Sequence, residues 1–446
     1  MAREASRILG ALALDRPQTR AWALYDFANS AVWTTVITAV YPVYFTQVVA
    51  ADLDPRKATQ YHSLATTIAL VLVALLSPFL GALADVRARK KRFLFGFAGL
   101  GMAATASLYF VDRGDWRLAL ALFVLINVGV AGSVTFYDAL LPHVARPGEL
   151  DRLSSSGFAL GYVGGGLLLA LNLCWIERPE WFGLAGGSDT LPVRLSFLSV
   201  AVWWAVFSVP LWKRVPEPVL AFEPDESAAA EPLRTALQRL GQTFRALRAH
   251  RDAFLLLLAF LLYNDGILTI IRLAAAYGSQ HGFPQGLLIR AFLVVQFVGI
   301  PCSILFGKLA RRFAAKRLIL VSLAVYAVVA ILAYRMRTEG QFLALALLVA
   351  TVQGGSQALS RSLFAALIPK HKSAEFFAFF GVGEKFAGIF GPFLFWAMSE
   401  LTGSSEQAIL SLLFFFVAGA LLLSFVDVER GRRSAREAEE TLRIVR

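Results

Sequence analysis

Asp26, Asn29 and Ser30 stand inside the first long apolar run of the chain, in the stretch ALYDFANSAVW (residues 23–33). A charged or amide side chain in hydrocarbon is costly. It persists where it meets a partner charge, a protein interior or a water-filled path. The same anomaly recurs at Asp138, at Asp265 and Arg272, at Arg361, and at the adjacent pair Glu384 and Lys385. The chemistry open to such groups is binding. Carboxylates take an amine or a proton, and an arginine forks two hydrogen bonds onto a carboxylate. A zwitterionic solute would use both signs. No Ser/His/Asp arrangement, metal-ligand spacing or GxxxxGK[ST] phosphate loop occurs. The expectation is a protein that is not an enzyme, holds no cofactor or metal, and does not use ATP directly.

Helical spacing groups these residues. Asp26, Asn29, Ser30 and Trp33 fall at i, i+3, i+4 and i+7, one stripe of a helix. Asp265, Thr269 and Arg272 form a second stripe, and Gln353, Gln357, Ser360, Arg361 and Phe364 a third polar face. At ~1.5 Å rise per residue, Asp26 and Asp138 lie about two turns from one end of their helices. Asp265, Arg272, Glu384 and Lys385 lie nearer the middle. Glu384 and Lys385 are adjacent, so their side chains diverge by about 100°. The expectation is that these groups line a substrate and proton pathway, with Asp26 facing a central cavity.

The elements that carry them are membrane spans. The 446 residues are 57% hydrophobic and 17% charged, with mean hydropathy +0.61. A soluble domain has a charged fraction of about 25%. Twelve apolar windows read as helices long enough to cross the bilayer: 21–50, 61–84, 93–111, 117–142, 154–176, 194–212, 252–278, 287–310, 318–334, 341–368, 375–398 and 407–426. The fold class is an all-α polytopic membrane protein. Residues 1–212 make an N-terminal six-helix bundle and 252–426 a C-terminal one. Residues 213–251 make a linker and 427–446 a tail. Within the linker, Leu233, Leu237, Leu240, Phe244 and Leu247 repeat at helical spacing and predict an amphipathic helix on the membrane face. The first twenty residues lack a short apolar core with a small-residue cleavage site, so no cleavable signal peptide is expected before the first span. Cys174 and Cys302 fall in apolar runs and read as packing residues.

Charge orients the spans. Of 43 Lys and Arg, 30 fall on the side that carries both termini and 9 on the other. The positive-inside rule then makes both termini and the linker cytoplasmic, in a multi-pass cell-membrane protein, the inner membrane if bacterial. The net charge of +12 is accounted for by this bias and by attraction to anionic headgroups of the bilayer, so nucleic acid is not expected as a partner.

Duplication is visible. GALADVRARKKR (81–92) corresponds to GKLARRFAAKR (307–317), and ALLP (139–142) to ALIP (366–369). Gly157 and Gly164 correspond to Gly381 and Gly388. All three pairs sit at offsets of 224–227 residues. Two parallel six-helix repeats place a transporter's substrate site near mid-membrane between them. Asp26, Asp138, Asp265 with Arg272, and Arg361 occupy spans 1, 4, 7 and 10, the first helix of each three-helix unit, which predicts one shared charged cavity. The glycine runs 157–166 and 381–392 read as places where helices approach closely.

GALADVRARKK resembles the loop signature of the major facilitator superfamily. Gly81, Asp85, Arg89 and Lys90 match it, while Val86 and Ala88 depart from it. The resemblance implies that Asp85 holds one conformation by contacting the start of span 11. WALYDFANSA and QGGSQALSRSLFAALIPKHKSAEFFAFFGVGEKFAGIFGP resemble the autophagy-linked vacuolar amino-acid effluxers and their bacterial relatives. Tyr25, Asp26, Asn29, Arg361, Glu384 and Lys385 carry the match. It implies an exporter of a small polar solute such as an amino acid. With the repeat and the intramembrane carboxylates, the expectation is a monomeric secondary transporter working by alternating access, with protons as a candidate coupling ion. Two alternatives stay open. One is a lipid or amphipathic-drug exporter with a wide apolar cavity. The other is a transporter-like sensor or scaffold that does not transport.

Overall fold

The computed structural model describes residues 2–86, 89–184, 188–218, 221–222, 245, 247–386, 390–440 and 443–444. Among them, 11 helices are long and apolar enough to cross a membrane. Spans 1–6 are Pro17–Val49, Pro55–Val86, Lys90–Ser107, Trp116–Val144, Leu150–Glu177 and Leu191–Arg214. Spans 7–10 are Arg251–Gln280, Gln285–Phe313, Ala315–Tyr334 and Glu339–Leu367. Span 11, predicted at 375–398, is described as Ser373–Phe386 and Phe390–Thr402, on either side of 387–389. Span 12 is Ser405–Leu410 followed by Leu413–Ser424.

Span 1 is not a uniform α-helix. Its backbone widens into π-helix over Val32–Val40 and Phe45–Val49, on both sides of the turn Tyr41–Tyr44. Pro42 in that turn has no N–H to give the preceding one, and such irregular turns concentrate where helices are locally strained. Leu75, Val206, Val321, Phe414 and Leu421 are exposed apolar residues on the outside of spans 2, 6, 9 and 12. A water-soluble protein would bury such side chains. Here they form the surface that hydrocarbon covers.

The spans pack as two six-helix bundles. Span 1 lies against spans 5 and 6, and span 3 against span 4. Span 7 lies against span 12, and span 10 against spans 8 and 9. The halves meet where span 2 packs on span 11 and span 5 on spans 8 and 10.

Glycine makes the closest approaches possible. A Cβ added at Gly164 would fall on the backbone carbonyl of Phe27, and one at Gly165 would sit 2.9 Å from Thr34. In this first glycine run the expected close approach is present, between spans 5 and 1. In the second run, Gly381 faces Thr135 and Gly391 faces Thr269, while Gly388 lies outside the described residues. Backbone cannot yield as a side chain can, so Gly164→Ala should overpack the interface and cost about 1–3 kcal/mol. Thermal unfolding in detergent should show a lower Tm. An unchanged Tm would mean that the spans can separate there at no cost.

The tail is a helix, Val428–Glu440, docked under the C-terminal half. Arg430 donates two hydrogen bonds of 2.7 Å to Asp252 at the start of span 7. Glu439 accepts the backbone N–H of Lys370 at 2.9 Å. The amphipathic helix predicted at 233–247 lies almost wholly outside the described residues, and Leu247 at its end is buried. Both cysteines are free. Cys302 is half-buried, but Cys174 is exposed and so does not pack as predicted, because it lies on the outer side of span 5.

Candidate functional site

The centre of the site is Arg361 in span 10, which is 4% exposed. Among the described residues, the partners of its guanidinium all come from the N-terminal half. Its Nη1 donates to Asp138 Oδ1 at 3.0 Å and its Nη2 to Asp26 Oδ2 at 3.1 Å. Nε donates to Ser154 Oγ at 2.8 Å, and Nη2 also donates to Ser154 O at 3.0 Å. The guanidinium lies over the rings of Phe158 at 4.5 Å, Trp22 at 5.0 Å and Tyr137 at 5.5 Å. A planar cation suits such faces because the ring quadrupole is negative there. Tyr137 donates its hydroxyl to Asp26 Oδ2 at 2.8 Å, and Trp22 stacks on Tyr137 at 4.4 Å. Gly157 completes the cage, since a Cβ there would collide with Asp26 and sit 3.1 Å from Arg361.

This cage corrects one expectation. Asp26 does not look into an open pathway; it pairs with an arginine of the other half. The stripe on span 1 was read without its partner, and the partner lies 335 positions away.

The cage belongs to a sealed end. Around it, Ser154 Oγ donates to Ala358 O at 2.7 Å and Ser362 Oγ to Asp151 at 2.5 Å. Ser373 Oγ donates to Ala139 O at 2.9 Å and lies 3.2 Å from His143 Nε2. Asp85 accepts the backbone N–H of Glu375 at 2.8 Å and pairs with Lys90. The structure thus has the contact between Asp85 and the first turn of span 11 that the loop motif implies. Gly81 allows it, because a Cβ there would stand 2.6 Å from Ala374 O. Arg89 is exposed and precedes span 3. All these contacts join the two halves at the end that carries the termini, except Lys90 and Arg89, which stay within the first half. At the other end the described ion pairs run within one half: Arg194 with Asp112, and Arg337 with Glu406.

The remaining predicted residues do not enter the cage. Gln357 donates to Asn264 at 2.7 Å, tying span 10 to span 7 inside one half. Asp265 is fully buried and accepts the N–H of Gly391 in span 11 at 3.0 Å. Arg272, two turns further on, is exposed. Asn29 is 4% exposed and its Oδ1 has no described partner. The single charged cavity expected across spans 1, 4, 7 and 10 is therefore two separate places. Asp265 and Arg272 share a face of the helix but stand about 10 Å apart along its axis, so Asp265 meets span 11 while Arg272, two turns on, is exposed. Glu384 and Lys385 lie on the helix Ser373–Phe386, and their side chains are outside the described residues.

Trp22, Tyr137, Ser154 and Phe158 escaped the sequence reading. A signal existed for two of them. Trp22 stands four residues before Asp26 on the same stripe, and Tyr137 directly precedes Asp138. Ser154 and Phe158 carried none.

Comparison with known proteins agrees with this architecture. The family described as "Vacuole effluxer Atg22 like" matches residues 55–151 and 148–436. The uncharacterised MFS-type transporter YxiO of Bacillus subtilis (strain 168) is 38% identical over 421 residues, covering 92% of this chain and 95% of that protein. Autophagy-related protein 22 of Yarrowia lipolytica is 28% identical over 65% of this chain, a match spanning 52% of its own length. Among solved structures, the proton:xylose symporter XylE superposes with TM-score 0.70 at 15% identity, covering 95% of this chain and 98% of that one. FucP in its outward conformation gives TM-score 0.65 at 15% identity, covering 92% and 100%. Those two likenesses are of fold. The family match and the bacterial relative establish that this chain is a major facilitator transporter belonging to the Atg22-like effluxer family.

Proposed function

We propose that this protein is a secondary transporter that exports a small zwitterionic solute of the amino-acid class by alternating access, with protons as the coupling ion. The observation that supports it is the cage itself: one arginine is shared by two aspartates where the halves meet. A buried carboxylate is costly in a low dielectric unless it is matched. A proton, or the amine of a solute, on Asp26 or Asp138 loosens its grip on Arg361. Opening of the sealed end is thereby linked to cation binding.

Proteoliposomes with an imposed pH gradient test this. Uptake of a mixed pool of labelled amino acids should rise with the gradient, and Asp26→Asn should make the residual flux insensitive to it. Flux that ignores the gradient in the wild type would remove proton coupling and leave uniport. The sealed end is read as cytoplasmic, from the 30 to 9 distribution of basic residues. In a background lacking Cys174 and Cys302, Ala229→Cys should resist an impermeant thiol reagent added to intact cells. Labelling from outside would invert the orientation.

One observation favours export of an amphipathic compound instead. A cavity of about 180 Å³ lies inside the C-terminal half, lined by Ile270, Phe292, Phe342 and Phe395, with Tyr277, Gln296 and Gln353 among its lining residues. Competition of uptake by amphipathic compounds, with no effect of amino acids, would select that reading.

A further inference from the structure

The inside of the C-terminal half is not filled. Its cavity of about 180 Å³ is walled by all six spans of that half: Ile270 from span 7, Phe292 from span 8, Ala330 from span 9, Phe342 from span 10, Phe395 from span 11 and Ile409 from span 12. Protein interiors leave few voids larger than a water molecule. An engineered apolar cavity of about 150 Å³ stays dry and takes up benzene. None of the described lining residues is Asp, Glu, Lys, Arg or His.

Three of the described lining side chains carry nitrogen or oxygen. Tyr277 is committed, since its hydroxyl donates to Ala333 O at 3.0 Å. The other two are amides. Gln296 is 6% exposed and has no hydrogen-bond partner among the described residues. It stands one turn beyond Phe292 on span 8, on the face that walls the cavity. Gln353 Oε1 is buried and has no partner either. A buried amide is costly to leave unpaired. An apolar void of this size beside such an amide calls for an occupant with bulk and one polar atom.

We propose that this cavity binds a small neutral aromatic molecule carrying one N–H or O–H, of the size of indole or phenol. Its ring packs among Phe292, Phe342 and Phe395, and its polar atom pairs with the amide of Gln296. A zwitterionic solute does not suit the cavity, because no described lining group matches its charges. An alkyl chain fills the void but leaves the amide unpaired. Water pairs the amide but needs two to four polar partners, and the walls are mainly apolar. The site is separate from the Arg361 cage. Its test reads binding, so it stands whether or not the molecule is carried across.

Equilibrium binding of tritiated indole to the purified full chain, captured on scintillation beads in one detergent, is the measurement. Binding should saturate. Indene, the same ring skeleton without the N–H, should displace indole with about 2- to 10-fold weaker affinity, the effect of one hydrogen bond. Gln296→Leu, which removes the amide, should bring the two compounds to equal affinity. Its Tm without ligand should equal or exceed that of the wild type. A fall in that Tm would mean that the protein itself pairs the amide and would overturn the proposal. Ala291→Leu, at a lining position 5% exposed, should fill part of the void and weaken the binding of both compounds. Absence of saturable binding in the wild type would overturn the proposal, as would binding that neither substitution alters. Equal affinity for indole and indene in the wild type would also overturn it and assign the void to a plain apolar occupant such as an acyl chain. Displacement of indole by glycine would overturn the separation of this cavity from a site for zwitterions.

Discussion

Arg361→Ala should destabilise the protein by about 3–5 kcal/mol, the cost of breaking a buried pair by removing one partner. The substitution strands Asp26 and Asp138 together, two carboxylates whose side chains are 14% and 11% exposed, with no cation between them. It also removes the guanidinium that three aromatic rings enclose. Two roles for Arg361 are separable. An arginine that only binds solute would leave Tm intact when removed and would weaken apparent affinity. An arginine that fastens the halves would lower Tm, and neutralising its partners would restore part of the loss. The geometry calls for the second result, with Asp26→Asn combined with Asp138→Asn recovering part of the stability of Arg361→Ala. Arg361→Lys should insert and fold but lose most transport. Lysine cannot reach Asp26, Asp138 and Ser154 from one plane. Wild-type Tm and flux in Arg361→Ala would remove this residue from the mechanism.

Asp85→Ala should shift the protein toward the state in which the sealed end is open. Asp85 does two jobs at once. It accepts the Glu375 N–H in the first turn of span 11, where helix N–H groups lack partners of their own and negative charge is favoured. It also neutralises Lys90, whose side chain is 4% exposed. A charge-assisted hydrogen bond is worth about 1.5–3 kcal/mol, so losing it moves a two-state equilibrium roughly 10- to 100-fold. The reporter is Ala365→Cys. It is 3% exposed and lines the groove between the span 4–5 connection and span 10. Its labelling by a thiol reagent should accelerate by that factor in Asp85→Ala. Labelling at the parent rate would mean that other contacts, such as Ser373 with Ala139, hold the end closed without Asp85.

Much of this was legible in the chain itself. Apolar windows set the spans, because the hydrocarbon thickness dictates their length and nothing else satisfies backbone polar groups there. The repeat offsets of 224–227 residues announced two halves. Asp26, Asp138 and Arg361 were conspicuous because charge in an apolar run needs a reason. The glycines of span 5 were legible for a related cause, since only a missing Cβ lets Gly164 meet the backbone of Phe27.

The partners of those charges were not legible. Helical periodicity fixes which residues share a face of one helix, but not which helix that face meets. Asp26 and Arg361 are joined only because the two bundles close at one end, and that closure depends on packing spread over many residues. For the same reason the stripe Asp265–Thr269–Arg272 looked like one surface of a common cavity. In three dimensions its first two members turn to Gly391, while the third reaches the surface. Sequence determined which side chains are costly to bury. Tertiary structure decided what offsets each cost, because a pairwise contact between distant helices has no trace in local spacing.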